Sequence, residues 1–430
     1  MTRTYSLLFN TLFAGSVTLA LAQACLAQPD PLLTAARARI EKIRKSDLTI
    51  AVRDTKGSPV RNAFVQVELT RHAFYFGAAA LSLGKHKDVA TEALYQKKFG
   101  DLFNFATVLC YWQDTEPEPG KKNYGLLSRQ AHRLHEMGIR VKGHPLILAG
   151  ASPGWAPTDP DIIRDLTRGR IEEMVSKFKG EIDTWDVVGD ATTARDAQTG
   201  LGGWARKVGP GPFTIDAFRW ARSANAGAML VYNDYKLDAD FTSLITEMDA
   251  AHAPVDVLGL EAHMIGCEWP LQKVWDTAET FAKLKHPLHF SEVTVLSDDP
   301  SADHSKVWAS TPEGEKRQAD YVEQFYTLLF SHPAVEGIGW WNFVDGDWDR
   351  NPAGLLRSDL SPKPSYDRLL DLIQHQWHTS ENLKTDRNGI VRMRGFAGSY
   401  RITVRTNGKS TSINSDVARG RTVRIVISLP

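Results

Sequence analysis

Polar residues close several short apolar runs in the middle of this sequence, and two of them are carboxylates. Glu292 lies in PLHFSEVTV, and Asp190 ends the run TWDVVGD. Burying an unpaired carboxylate is costly, so each needs a structural or a chemical reason. Two carboxylates across a cleft are the minimum apparatus for cleaving a glycoside: one protonates the leaving oxygen, and the other attacks the sugar or activates water.

Structural explanations for these carboxylates stay open at this point. Glu292 could be satisfied by a structural Arg or Lys, and Asp190 could cap a helix or start a loop. Asp186, four residues before Asp190, would share its strand face and is interpreted as structural. Further polar or aromatic residues close other apolar runs and are candidates for the same site: Tyr111, Trp112, His144, Asn233, Asp234, Tyr235, Glu261, His263 and Asp345.

The composition excludes several classes of protein. The chain has 430 residues, with 51 basic and 51 acidic residues and a pI near 7.2. Nucleic acids and acidic membrane surfaces attract a clustered basic excess, so we expect neither as a partner. The 12 Trp, 11 Tyr and 18 Phe could supply flat apolar faces for a saccharide, although most aromatic residues pack in cores. We expect a monomer.

The first residues are typical of a secretory signal peptide. Arg3 precedes a mostly apolar stretch over 7–22, and small residues surround Ala24 and Ala27. We expect cleavage near Ala24 or Ala27, and a secreted or periplasmic protein. Asn10 interrupts the apolar stretch and argues against a membrane anchor. Lipidation of Cys25 is a weaker alternative.

The elements that must position these side chains alternate between strands and helices. Apolar runs predict strands over 75–80, 103–112, 141–148, 184–188, 229–234, 255–261, 287–293 and 338–343. Helical spacing lies between them, as in Ile171, Met174, Val175 and Phe178. Eight such units predict a (β/α)8 TIM barrel, in which reactive groups lie at the carboxyl ends of the strands. A doubly wound open sheet is the alternative, but no Gly-rich nucleotide loop supports it.

Both ends of the sequence are rich in strands. LTIAVRD and NAFVQVEL precede the barrel, and strands over 390–393, 399–404 and 422–429 follow it. These segments predict one small β-sandwich-like module built from both termini, which either binds polysaccharide or, as we favour, buttresses the barrel. The predicted organisation is a signal peptide over 1–27, an amino-terminal segment over 28–73, the barrel over 74–378 and carboxyl-terminal strands over 379–430.

We expect no metal and no organic cofactor. His132 and His135 share a helical stretch, but no third ligand accompanies them. A G-x-S-x-G elbow is absent from the sequence, which argues against a serine hydrolase. Sugar hydrolysis needs only proton transfer and a nucleophile. If Cys25 leaves with the signal peptide, Cys110 and Cys267 remain, either free and buried or paired.

The middle of the chain resembles glycoside hydrolase family 10, the xylanase-type retaining enzymes of (β/α)8 fold. Matching stretches occur in family order over about 74–376: FNFATVLCYWQDTEPEPGKKNY, RVKGHPLILAG, WDVVGDA, LVYNDYKL, VLGLEAHM, LHFSEVTV, GWWNFVDGDW and LSPKPSY. The terminal segments resemble those of plant-type and related bacterial members. The resemblance implies a glycoside hydrolase whose partner is a polysaccharide or oligosaccharide.

The resemblance also implies roles for single residues. Glu292 matches the nucleophile, and His263 matches the histidine that hydrogen-bonds it. His144 matches a histidine that lines the subsite of the cleaved sugar. Trp341 and Trp348 match the aromatic walls of that subsite. The remaining matches are Asn233, Asp234 and Tyr235, in a motif that mainly braces the barrel mouth.

This chain departs from the family pattern at the same subsite. Asp190 occupies the place of the acid/base glutamate, and Gly189 that of the asparagine that binds the sugar 2-hydroxyl. Tyr111 stands at a lysine position, Ala149 at a histidine position and Glu261 at a glutamine position. Asp is shorter than Glu, which withdraws the carboxyl by roughly 1–1.5 Å on a fixed backbone. Gly189 and Ala149 are expected to open volume for a bulkier or substituted sugar ring.

Three interpretations follow from these departures. The protein is a glycosidase for xylan or a modified relative, with Glu292 as nucleophile and Asp190 as acid/base. Alternatively it is an inverting glycosidase on another substrate, with Asp190 or Glu261 as the acid. The third interpretation is a barrel that has lost catalysis and only binds glycan. The sequence leaves the sugar and endo versus exo cleavage open.

Overall fold

The computed structural model describes residues 30–299, 308–406 and 408–429. The predicted signal peptide over 1–27, with Cys25, lies outside them. The strands in chain order are β1 (Lys45–Arg53), β2 (Phe64–His72), β3 (Tyr75–Ala79), β4 (Phe105–Leu109), β5 (Arg140–His144), β6 (Ile147–Leu148), β7 (Thr184–Gly189), β8 (Met229–Asp234), β9 (Val257–Met264), β10 (Leu288–Val295), β11 (Val335–Trp340), β12 (Ser380–Lys384), β13 (Ile390–Phe396), β14 (Gly398–Thr406), β15 (Lys409–Val417) and β16 (Val423–Ser428).

Most helices lie between the strands of the middle region. They are α1 (Pro31–Ile43), α2 (Val89–Leu102), α3 (Trp112–Thr115), α4 (Gly125–Glu136), α5 (Pro160–Lys177), α6 (Gly200–Val208), α7 (Pro210–Ala224), α8 (Ala239–Ala250), α9 (Leu271–Ala282), α10 (Pro312–Phe330) and α11 (Pro364–Asp371). Short 3₁₀ turns cover Ala149–Ala151 and Ala191–Asp196, and a π-helical turn covers Leu372–Gln376.

Eight parallel strands close into a barrel. The hydrogen-bonded order is β5-β4-β3-β11-β10-β9-β8-β7, and β7 also pairs with β5, which completes the ring. Each predicted strand of the middle region overlaps a barrel strand, although the predicted strand over 141–148 divides into β5 and the short strand β6, and β8 has the predicted bounds. The predicted TIM barrel is therefore confirmed, and the open sheet is excluded.

The helices form where the sequence pattern placed them. In α5, Ile171, Met174 and Val175 are buried against the barrel. Thr311 caps α10 by accepting a hydrogen bond from the Gly314 N–H, and Pro312 occupies the first turn, where its missing N–H costs nothing.

Strands from the two termini build two further sheets. One has the order β13-β1-β16 and the other β12-β2-β14-β15, so each sheet combines strands from both ends of the chain. The expected extra β-structure from both termini is confirmed. Buried side chains of both sheets, such as Ile50 and Val404, belong to the same apolar cluster as the barrel core.

A buried arginine joins the amino-terminal arm to the barrel. Arg44 donates hydrogen bonds to the main-chain carbonyls of Phe330, His332 and Val335, where α10 ends and β11 begins. A cation at a helix carboxyl terminus also complements the helix dipole. These contacts agree with a buttressing role for the module.

Three elements of the terminal segments were not predicted. Helix α1 begins at an Asp30 cap and buries Leu33, Ala36 and Ile40, a pattern that we had assigned to a β-rich segment. Strand β12 is mostly exposed, and β15 reads KSTSINSDV with almost no apolar alternation. Main-chain pairing holds both strands in place, β12 against β2 and β15 against β14. Their own side chains show no pattern from which a strand could be predicted.

Cysteines and membrane spans were also open questions. Cys110 and Cys267 are both free, but only Cys110 is buried and Cys267 is exposed. Among the helices of the described residues, none combines the length and the apolar character needed to span a bilayer.

Candidate active site

The candidate side chains come together at the carboxyl end of the barrel. Parallel strands all end on the same face, so residues that close successive strands converge there. The strands β5, β7, β8, β9 and β10 contribute, in that order, His144, Asp190 (directly after its strand), Asn233, Glu261 with His263, and Glu292.

A register shift sets two glutamates side by side. Strand β10 pairs with β9 as Phe290 with Leu260 and then Glu292 with Glu261, so Ser291 is an extra residue in β10. Such an insertion re-aims the side chains that follow it and is common beside active sites. Glu292 and Glu261 therefore face the mouth from neighbouring strands.

Glu292 is buried and held by neutral donors and histidines. The Asn233 Nδ2 donates to Glu292 Oε1 at 2.8 Å, and His263 Nε2 faces Oε2 at 3.2 Å. His144 Nδ1 lies 3.4 Å from Oε1. Among the described residues no Lys or Arg forms an ion pair with Glu292. The structure therefore does not support the alternative in which a structural Lys or Arg satisfies this carboxylate.

These neighbours decide the charge of Glu292. Burial alone would raise its pKa, but the positive charge of His144, the hydrogen bond and charge of His263 and the charge of Lys142 outweigh burial and lower the pKa to about 2. Glu292 is therefore ionised over the whole neutral and mildly acidic range, which is the state that a nucleophile or base needs.

The Asn233 amide holds two carboxylates in place. Asn233 is fully buried, and its Nδ2 donates to Glu261 Oε1 at 2.7 Å as well as to Glu292. The Ser291 hydroxyl donates to Asn233 Oδ1 and fixes the amide orientation. Gly259 leaves room for it, because a Cβ there would lie 2.4 Å from Asn233 Oδ1. These contacts agree with the predicted bracing role of Asn233, and its role in substrate binding stays a prediction.

His144 is oriented by a buried carboxylate, Asp186, which is itself paired with a buried lysine. Asp186 Oδ2 accepts from His144 Nδ1 at 2.7 Å and from Lys142 Nζ at 2.6 Å, and all three side chains are buried. Asp186 is thus structural, as expected, but it acts on the site by aiming His144. The sequence does mark Lys142, because a charged residue two positions before His144 lies on the same face of an otherwise apolar strand.

Asp190 lies across the mouth on an unusual backbone. Its φ is 54° and its ψ is 41°, in the left-handed region that Asp and Asn tolerate better than most residues. The Asp190 N–H donates to the Asn233 carbonyl at 3.0 Å. Although it precedes the Ala191–Asp196 turn, its side chain makes no capping hydrogen bond, so the helix-cap explanation fails.

The loop after Asp190 is held by a second buried carboxylate. Asp234 accepts hydrogen bonds from the Thr192 N–H and hydroxyl, each at 3.0 Å, and from the Tyr232 hydroxyl at 2.6 Å. Asp234 therefore fixes the turn that carries Asp190. The predicted bracing role of this motif agrees with that geometry.

The Asp190 carboxyl lacks a hydrogen-bond partner at one oxygen. Oδ1 is buried and unpaired among the described residues. Burial, then the charges of Asp234 and Glu292, raise the pKa of Asp190 to about 7. Asp190 is thus protonated below neutrality, which is the state that a proton donor needs.

Aromatic rings line the same mouth. Trp341 lies edge-on to His144 with ring centroids 5.2 Å apart, and Trp348 lies 4.8 Å from the His263 ring. The Tyr111 hydroxyl is 3.4 Å from His144 Nε2. The Trp341 indole N–H is buried and finds no acceptor within the part of the chain that the structure describes. A buried orphan donor beside a cleft is a candidate contact for a ligand oxygen.

Two expectations about the cleft need correction. Trp112 is only 3% exposed, its indole N–H donates to Glu116 at 3.0 Å and its ring packs against Trp155, so its predicted contact with substrate is not supported. The volume beside Gly189 is partly filled, because Leu148 Cδ1 lies 3.3 Å from where a Cβ would stand. Conversely, Tyr235, a candidate that the family motif assigns to bracing, is 53% exposed beside Asp190 and offers an aromatic face to the cleft.

Two groups within the described ranges bring three potential metal-ligating atoms within 4.8 Å of one another. In the first, His144, Asp186 and Glu292, the Lys142 ammonium already contacts Asp186 and would repel a cation. In the second, Glu261, His263 and Glu292, both carboxylates already accept from Asn233. We interpret both groups as hydrogen-bond networks and not as ligand sets.

The chain belongs to glycosyl hydrolase family 10, whose model matches residues 66–372. This confirms the resemblance found in the sequence. Among curated proteins, the chain is 27% identical over 384 residues to the anti-sigma-I factor RsgI6 of Acetivibrio thermocellus, covering 87% of this chain and 47% of that protein. It is 24% identical over 382 residues to endo-1,4-beta-xylanase 1 of Arabidopsis thaliana, covering 86% and 37%. The chain thus spans less than half the length of these relatives.

The fold is also found among solved structures. Xylanase 10B from Thermotoga petrophila RKU-1 in complex with xylobiose superimposes with a TM-score of 0.60 at 24% sequence identity. The match covers 71% of this chain and 95% of that one. At this identity the likeness bears on the fold alone.

Proposed function

We propose that this chain is a glycoside hydrolase that cleaves β-glycosidic bonds in a polysaccharide or oligosaccharide, either xylan-like or a modified relative of xylan. One observation carries the proposal. The pKa values of two carboxyls at one barrel mouth are shifted in opposite directions. The pKa of Glu292 is lowered to about 2, and that of Asp190 is raised to about 7. A pair separated in this way can divide the roles of base and acid at one pH.

In the first step the Asp190 carboxyl gives its proton to the glycosidic oxygen while Glu292 attacks the anomeric carbon. The bond to the leaving sugar breaks, and an ester to Glu292 forms. In the second step the ionised Asp190 takes a proton from water, whose oxygen displaces Glu292 and restores both residues. His263 and Asn233 hold Glu292 in position, and Trp341 forms an apolar wall for the ring.

The choice of substrate rests on the family and on named relatives. Several relatives are named endo-1,4-beta-xylanases, and the solved structure with xylobiose shares the barrel. The changes at Tyr111 and Ala149, and the absence of the family's asparagine at Gly189, favour a substituted or different ring in the cleaved subsite. The apolar stretch over 7–22 supports export to the cell exterior or periplasm, where such polymers are found.

A glycan-binding barrel without catalysis is the second candidate. The shorter Asp190 favours it, because a proton donor must come within about 2.6–3.2 Å of its target. A relative that matches 87% of this chain is named an anti-sigma factor, so a regulatory protein contains a similar chain segment. An inverting hydrolase remains the third candidate and differs in the anomer that it releases.

The experiment that tests the proposal uses purified protein and a panel of β-linked polysaccharides and aryl glycosides. Release of reducing ends or of the phenol is expected for at least one member. Proton NMR of the first product then reports the anomer, and retention is expected. Binding of a glycan without any release would support the second candidate and contradict this one, and an inverted first product would support the third.

The same pKa pair predicts a pH profile. Glu292 must be ionised and Asp190 protonated, so kcat/KM on a natural glycoside should be highest between about pH 3 and 6 and should fall as the pH rises through about 7. The sign follows because a raised acid pKa keeps the donor protonated up to neutrality. Initial rates in a series of buffers of constant ionic strength measure it. A profile that stays flat from pH 6 to 9 would remove Asp190 from the role of acid.

A further inference from the structure

A third carboxyl, Glu261, shares its hydrogen-bond donors with Glu292. Its Oε1 accepts from Asn233 Nδ2 at 2.7 Å, and the same nitrogen donates to Glu292 at 2.8 Å. Its Oε2 is 3.6 Å from His263 Nε2, the nitrogen that faces Glu292 at 3.2 Å. The two carboxyls thus share the two N–H groups of one amide, and both face one imidazole nitrogen.

Only one of these two carboxyls can be ionised cheaply. Glu292 has the shorter contact to His263 and a further contact to His144 at 3.4 Å. No Lys or Arg pairs with Glu261 among the described residues, and the residue is only 9% exposed. Like charges this close in a water-poor site force one proton to remain. The geometry gives that proton to Glu261.

We propose that Glu261 remains a neutral acid while Glu292 is ionised, and that in this form it positions Glu292 and donates its own O–H to a substrate oxygen. The inference rests on the proposed function for its substrate but not for its protonation. Because Oε1 is bonded to Asn233, the proton resides on Oε2. Within the residues that the structure describes, Oε2 has no hydrogen-bond partner, so its O–H is available to the cleft.

The surroundings of Glu261 agree with this assignment from every side. Burial, and next the charges of Glu292 and Asp190, raise its pKa well above the ordinary value. The titratable groups that face it are five acidic residues or phenols and one imidazole: Glu292 from β10, Asp186 and Asp190 from β7 and its end, Asp234 from β8, Tyr111 after β4, and His263 on its own strand. Loss of the Glu261 proton would place a second negative charge on the donors that hold Glu292.

The first test does not depend on catalysis. The full chain is labelled with ¹³C at the glutamate carboxyls, and its NMR signals are followed from pH 4 to 9. The signal that is missing from Glu261→Gln should titrate well above the ordinary glutamate pKa of about 4.3. If Glu261→Gln does not fold, Glu261→Asp assigns the signal instead. A Glu261 carboxyl that titrates below pH 6 would overturn the inference, whether or not the protein hydrolyses any glycoside.

The second test reads out the consequence for the reaction. An aryl glycoside with a strongly acidic phenol needs no proton from Asp190, so the alkaline limb of its kcat/KM is free of that residue. We expect Glu261→Gln to move this limb upward by at least about one pH unit, because the amide donates but does not ionise. The matched control Glu313→Gln, at an exposed position, should leave the limb in place. An alkaline limb that is the same in Glu261→Gln and wild type would contradict the positioning role, while the activity itself would uphold the proposed function.

Discussion

Replacing Glu292 with glutamine is expected to reduce glycoside hydrolysis by about 1,000-fold or more, because an amide cannot attack the anomeric carbon. The side chain keeps its size and can still contact Asn233, so the cleft should still bind saccharide. Hydrolysis is measured by release of reducing ends, and binding by titration calorimetry with the oligosaccharide that wild type cleaves.

Two comparisons make the Glu292 experiment decisive. Glu313→Gln removes a carboxyl of the same size from an exposed helix start and should leave hydrolysis unchanged. Unfolding midpoints of both variants show whether any loss comes from misfolding. Undiminished release by Glu292→Gln would mean that the nucleophile has been assigned to the wrong residue.

Replacing Asp190 with asparagine should give a loss that depends on the leaving group. A sugar leaving group needs protonation, so its cleavage should fall by about 100- to 10,000-fold. An aryl glycoside with a strongly acidic phenol leaves without a proton, and its kcat/KM should fall far less. Asparagine is the right substitute because the backbone φ is 54°, where Asn is tolerated and Ala is strained by about 1–2 kcal/mol.

A second substitution at this position tests whether the shorter side chain of Asp190 limits the activity. Asp190→Glu extends the carboxyl by one methylene, so a gain on xylan would mean that the present length is a deficit. A loss would mean that the mouth is built around Asp190.

Equal losses on both leaving groups in Asp190→Asn would contradict a proton-donor role and point to a structural one.

The barrel could be predicted because its strands are buried on both faces and are therefore continuous apolar runs. Met229–Asp234 is such a run and has the predicted bounds. The terminal sheets were partly visible, through alternating segments such as LTIAVRD. Strand β15 was invisible because a strand at the edge of a sheet gains its order from main-chain pairing with β14 and not from its own polar side chains.

The sequence was sufficient to predict which residues lie at the carboxyl ends of the barrel strands and therefore belong to the site. His144, Asn233, Glu261, His263 and Glu292 all close apolar runs, and parallel topology brings such residues together. The contacts that give each of these residues its role could not be predicted. The extra residue Ser291, which sets Glu261 beside Glu292, changes no sequence pattern, and the left-handed backbone of Asp190 depends on the loop that Asp234 holds.

Side-chain exposure was the least predictable property. Trp112 and Trp348 both follow barrel strands, yet Trp112 is buried against Trp155 whereas Trp348 lies against His263 at the mouth. Trp112 is the first residue of the short helix α3, in which it is buried. Likewise, Leu148 takes part of the space beside Gly189, which no local pattern announces.

The central claim is that the Glu292 carboxylate forms a bond to the sugar, and intact-protein mass spectrometry tests it most directly. The protein is treated with a 2-deoxy-2-fluoro glycoside of the cleaved sugar bearing a good leaving group, which slows the second step so that the ester accumulates. We predict a mass increase of one glycosyl unit, located by peptide mapping on Glu292. A label on any other residue, or no label from a glycoside whose leaving group is nevertheless released, would contradict the account.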